Sequence, residues 1–180
     1  MTKTTEIKEK ITIPDNAEVT IENNNLTVKG EKGSISRVFS YPKIDLKINN
    51  KIIELSCKNP RRKDKAVTGT FAAHIKNMIK GVTEGFEYKM KTVFSHFPIK
   101  TLVEGNEFII QNFLGERSAR RAKILDGVTI EAKGDNITIR GVDKEKVGQT
   151  VANIERATAV RNRDVRVFQD GVYQVSKGAR

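Results

Sequence analysis

The chain has 180 residues, 33 of them Lys or Arg and 22 Asp or Glu, for a formal net charge of +11. With 37% hydrophobic residues it can build a core, so disorder is not expected. One cysteine (Cys57) and two histidines (His74, His96) exclude an internal disulfide and any Cys- or His-rich metal site. No apolar run approaches the ~18 residues of a membrane span, and residues 1–6 carry no signal-like apolar stretch. A cytoplasmic protein with no membrane partner is expected, and its basic excess favours a polyanionic one.

Taken in order, the first elements are hairpins. Val19-x-Ile21 and Leu26-x-Val28 alternate around Asn23-Asn24, and Ile44-x-Leu46-x-Ile48 and Ile53-x-Leu55 flank Asn49-Asn50. Asn tolerates the positive φ that tight turns need. Cys57, after the Ile53/Leu55 strand, reads as a small core residue. Residues 58–65 follow as a basic loop containing Arg61, Arg62, Lys63 and Lys65. Val67, Phe71, Ile75 and Met78 then recur at helical spacing, with His74 at the edge of that face. Phe86-x-Tyr88-x-Met90 reads as the strand closing this unit, and His96 as part of a connection between domains.

From there the pattern repeats. Residues 104–110 align with 22–28, and Val128-x-Ile130-x-Ala132 and Ile137-x-Ile139 align with the second hairpin, at offsets of 82 and 84. Gly134-Asp135-Asn136 supplies the matching turn. Residues 148–154 lie over 69–75 at an offset of 79, so the first copy holds five extra residues, which fall in 58–65. Val147, Val151, Ile154 and Thr158 form the second helical face, with Asp143 as its N-cap and Glu145 in its first turn. Tyr173-x-Val175 reads as the closing strand. The expected fold is α+β: two tandem duplicated domains, residues 1–92 and 93–180, each an antiparallel β-sheet packed on one principal α-helix.

Charge separates the copies by kind. Residues 1–92 carry a net +7 and residues 93–180 a net +4, yet 9 of the 12 arginines lie in the second half. Arginine binds phosphate bidentately and stacks on bases, whereas lysine is a solvated point charge. The second domain is therefore expected to make the geometrically defined contacts. Its candidates are Arg117, Arg120, Arg121 and Lys123 between the hairpins, and Arg156, Arg161, Arg163 and Arg166 after the helix. Lys177 and Arg180 complete them, in a tail too polar to pack on its own.

Catalytic chemistry is missing. Neither histidine has a nucleophile in a triad-like arrangement. Gly30-Glu31-Lys32-Gly33-Ser34 lacks the order of a phosphate loop. Asn25-Leu26-Thr27 and Asn136-Ile137-Thr138 match glycosylation sequons, but nothing suggests secretion. No catalytic group, metal, cofactor or small-molecule substrate is expected.

Residues 141–155, reading GVDKEKVGQTVANIE, closely resemble the signature of the family of ribosomal protein six of the large subunit. Residues 112–116 (NFLGE) and 166–173 (RVFQDGVY) resemble the archaeal and eukaryotic branch. The bacterial branch's Lys/Gly-rich ending is missing, so its tail contacts do not carry over. The resemblance implies a structural rRNA-binding protein whose second domain lies against the sarcin–ricin region, near where translation factors bind. It implies large-subunit rRNA and neighbouring ribosomal proteins as partners, with Lys144, Lys146, Gly148 and Gln149 approaching RNA at the start of the second helix. There, free N–H groups and the positive dipole end suit phosphate. The first domain would be the more exposed, its basic loop open to RNA or to proteins. A free-standing architectural protein for double-stranded RNA or DNA, and an enzyme acting on RNA, are the alternatives.

Overall fold

Tight turns made by asparagine set the first sheet. The structure, a computed structural model, describes residues 6–179; among them are thirteen strands and two α-helices. They divide into two units at Glu84/Gly85. The first contains β1 (Glu6–Thr12), β2 (Ala17–Glu22), β3 (Asn25–Gly30), β4 (Gly33–Val38), β5 (Ile44–Asn49), β6 (Ile52–Lys58) and α1 (Arg62–Thr83). Asn23 and Asn24, both at positive φ (47° and 66°), join β2 to β3 in a two-residue turn that matches strand twist. Asn50 (φ 53°) serves the β5–β6 hairpin.

Two three-stranded antiparallel sheets result, ordered β2-β3-β4 and β1-β6-β5. Period-two alternation buries Leu26 and Val28 on β3, and Ile53, Leu55 and Cys57 on β6. The helix covers them with Ala72, Ile75, Met78, Ile79 and Val82. Each fully buried aliphatic side chain contributes about 1.5–3 kcal/mol. At Gly30 the strand approaches the helix end so closely that a Cβ would lie 2.7 Å from the Val82 carbonyl oxygen. His74, at the edge of the helix's apolar face, is hydrogen-bonded, its Nδ1 3.2 Å from the Arg37 guanidinium.

The second unit opens at Gly85 (φ 75°). It contains β7 (Phe86–Val93), β8 (Lys100–Glu104), β9 (Glu107–Gln111), β10 (Arg120–Lys123), β11 (Val128–Lys133), β12 (Asn136–Gly141), α2 (Lys144–Ala157) and β13 (Gly171–Ala179). Its sheets run β10-β9-β8 and β11-β12-β7-β13. Phe108, Ile110, Phe113, Met90, Ile137 and Ile139 pack with Val147, Val151 and Ile154 of α2 in one core.

The duplication appears as repeated pairing. The order β2-β3-β4 recurs as β8-β9-β10, β1-β6-β5 recurs as β7-β12-β11, and a helix follows each set. Four readings of the sequence need correction. First, the boundary lies at 84/85 rather than 92: the Phe86–Met90 strand opens the second unit, pairing Tyr88 with Ile139 of β12. Its alternation announces a buried strand but not its partner. Second, His96 consequently follows β7 inside the second unit, its ring 6.3 Å from that of Phe168. Third, the tail is a strand. β13 pairs with the free edge of β7 as far as Ala179↔Phe86, with an irregularity between Gln174 and Ser176. Backbone hydrogen bonds hold it there, so its polar side chains are no obstacle. Fourth, α1 starts at Arg62, inside the expected basic loop, because the Asp64 carboxylate accepts the Arg61 N–H at 2.9 Å.

Candidate nucleic-acid interface

The start of α2 is fixed by Asp143, whose Oδ1 accepts the Glu145 N–H at 2.9 Å. This N-cap satisfies one first-turn donor and leaves others at the positive end of the helix dipole. Lys144 and Lys146 project from that turn, both exposed. Lys144 Nζ lies 5.9 Å from the centre of the Phe86 ring, and Lys146 Nζ donates to the Asp126 carbonyl at 3.3 Å. One turn on, Gln149 Nε2 donates to Asn153 Oδ1 and Asn153 Nδ2 to the Lys123 carbonyl, both at 3.0 Å. Lys123 is thereby tied to the same face. Asn153 was missed in the sequence, although its spacing of four from Gln149 is the cue.

Gly148 lies amid these groups. A Cβ there would meet nothing within 4 Å. Glycine inside a helix costs about 1 kcal/mol relative to alanine, and nothing within the unit requires it. Close approach of another molecule to bare backbone is what such a position allows.

Arginines gather at the other end of α2, about 21 Å away at 1.5 Å per residue. Arg120 is not a free cation. Its Nε and Nη2 grip the two Glu116 oxygens at 2.8 and 2.6 Å, and Nη1 donates to the Ala157 and Ala159 carbonyls at 2.9 and 3.1 Å. The guanidinium also sits 4.2 Å from the centre of the Phe113 ring. It caps the helix, and its hydrogen bonds hold the Glu116 carboxyl below the usual range. Arg163 stacks on Phe168 at 4.9 Å, and Arg121 pairs with Glu107 at 3.0 Å. Arg117, Arg156 and Arg161 are exposed and form no ion pair among the described residues. Arg166 is 90% exposed, 3.6 Å from Asp164, beside exposed Val165 and Val167. Lys177 lies on β13, and Arg180 falls outside the described residues.

Dividing the chain at 84/85 changes the charge balance to +6 and +5, so net charge no longer separates the units. Arginine still does, at 3 against 9. Among the described residues, no three His, Cys, Asp or Glu side chains gather as a metal site, and no helix is long and apolar enough to cross a membrane.

Residues 13–85 and 97–171 each match the family described as ribosomal protein L6. The large ribosomal subunit protein uL6 of Methanobrevibacter smithii is 53% identical over 173 residues, covering 95% of this chain and 96% of its own. Its counterpart in Methanothrix thermoacetophila is 50% identical over 172 residues, covering 96% and 98%. Apart from residue 85, the first matched stretch lies in the first unit and the second in the second, with β7 between them.

Proposed function

The chain belongs to the ribosomal protein L6 family, and from that premise we propose that the start of α2 docks it on large-subunit rRNA. It is a structural constituent of the ribosome in the cytoplasm and not an enzyme, with large-subunit rRNA and ribosomal proteins as its partners. Membership sets aside the free-standing architectural protein and the RNA-processing enzyme.

The finer reading is that Lys123, Lys144, Lys146, Gly148 and Gln149 meet the RNA backbone. Arg117, Arg121, Arg156, Arg161, Arg163 and Arg166 extend the contact towards the other end of α2, and Lys177 and Arg180 add to it. The RNA is the sarcin–ricin region, close to where translation factors bind. One observation carries this reading: Gly148 leaves backbone bare between two lysines and an amide, with open space above it. Phosphate recognition by helix N-termini and flanking cations supplies the chemistry.

The test is a salt titration of the full chain on an rRNA fragment containing that region. Replacing Lys144 and Lys146 by Ala removes two phosphate contacts and lowers the slope of log affinity against log salt by about two. An unchanged slope and affinity would contradict the placement.

A further inference from the structure

The first unit has a basic hollow of its own. Tyr41, Pro42 and Lys43, before β5, face Arg61, Arg62, Lys63 and Asp64 at the start of α1 across a cavity of about 520 Å³. That volume lies within the ~300–1,000 Å³ usual for ligand sites. Four of these seven side chains are cations. The carboxylate among them is already engaged: Asp64, 4% exposed, accepts the Tyr41 hydroxyl at 2.7 Å, Lys43 Nζ at 3.2 Å and the Arg61 N–H at 2.9 Å. Those donors, the Arg61 N–H foremost, hold its pKa down to about 2, so it stays ionised and neutralises Lys43.

Arg61, Arg62 and Lys63 remain. All three are exposed, and Arg62 and Lys63 pair with no carboxylate among the described residues. The hollow therefore keeps a surplus of positive charge around a rigid, internally satisfied floor. It is also where the two copies diverge. At the offset of 79, Asp64 corresponds to Asp143, but α1 begins before its aspartate and α2 after it. The five residues particular to the first copy fall in 58–65, the stretch that builds this wall.

We propose that this pocket binds a backbone phosphate of large-subunit rRNA, giving the first unit an RNA contact of its own. A guanidinium fork and a neighbouring ammonium suit a phosphodiester, and the concavity limits access to a projecting backbone. A protein partner is the competing occupant. Tyr41 and Pro42 give the hollow some apolar lining, but with four cations around them a protein occupant would have to be acidic there, whereas every RNA backbone carries the required charge. The inference rests on rRNA as partner, not on where α2 docks.

The test uses the full chain with Arg61, Arg62 and Lys63 all changed to Gln, which leaves Tyr41, Lys43 and Asp64 in place. Titrated on large-subunit rRNA beside the Lys144→Ala/Lys146→Ala chain, it should lose about one unit of salt slope, the share of one phosphate. The two sets of changes should combine additively. A wild-type slope and affinity would overturn the pocket while leaving the α2 reading intact, provided the α2 variant still loses its share. As a second measurement, a photoreactive side chain at position 62 should crosslink to rRNA in reassembled large subunits. Crosslinks to protein alone would overturn the proposal.

Discussion

Arginine 120 illustrates how a residue of the right type in the right cluster acquires a different role. Composition groups it with Arg117 and Arg121 as a phosphate ligand, but folding spends most of its donors on Glu116, Ala157 and Ala159. These partners include the carbonyls that α2 leaves open at its C-terminus, where a cation is favoured by the helix dipole. Arg120→Ala should therefore cost stability, about 1.5–3 kcal/mol for charged hydrogen bonds lost in a half-buried site. Arg120→Lys should recover little, because an ammonium cannot reproduce the planar fork. Arg166→Ala, at a side chain 90% exposed, should leave stability unchanged. Urea unfolding of the three variants checks this; a stable Arg120→Ala chain would return Arg120 to the RNA candidates.

At the scale of elements, two glycines are predicted to respond with opposite signs. Gly30 ends β3 against the last turn of α1, and a Cβ would strike backbone at 2.7 Å. Gly30→Ala should destabilise the protein by about 1–3 kcal/mol, as overpacking does. Gly148→Ala adds a methyl to open space on α2, so it should stabilise the free chain by up to about 1 kcal/mol while weakening rRNA binding. Thermal melts and one binding titration decide it; tighter or unchanged binding by Gly148→Ala would remove the argument for close approach. Elements were legible wherever their cause is local. The Asn23-Asn24 turn, the apolar faces of both helices and the Asp143 cap were all readable within a few residues. What was hidden depends on distant partners. The alternation in Phe86–Met90 could not reveal that β12 and β13 flank it. Nor could the run at Arg61–Asp64 announce Tyr41 and Lys43, about twenty residues earlier, as the opposite wall of a pocket.

Across the whole chain, duplication has produced two units of one topology whose cations are arranged differently. Net charge is nearly equal, at +6 and +5, so bulk attraction to RNA does not choose between them. What separates them is arginine content, at 3 against 9, and the bare helix face at Gly148. The first unit has a hollow walled by lysines and arginines, and the second a helix start flanked by Lys123, Lys144 and Lys146. The repeat was visible in the sequence as three aligned segments, while its true boundary was not, since β7 serves as the counterpart of β1 only once sheet order is known. The most direct test of docking through α2 is lysine acetylation read by mass spectrometry, in the free chain and in the assembled large subunit. Lys123, Lys144 and Lys146 are all exposed in the free chain, and the account predicts that assembly protects all three together; if they remain as reactive in the subunit as in the free protein, α2 does not face the RNA.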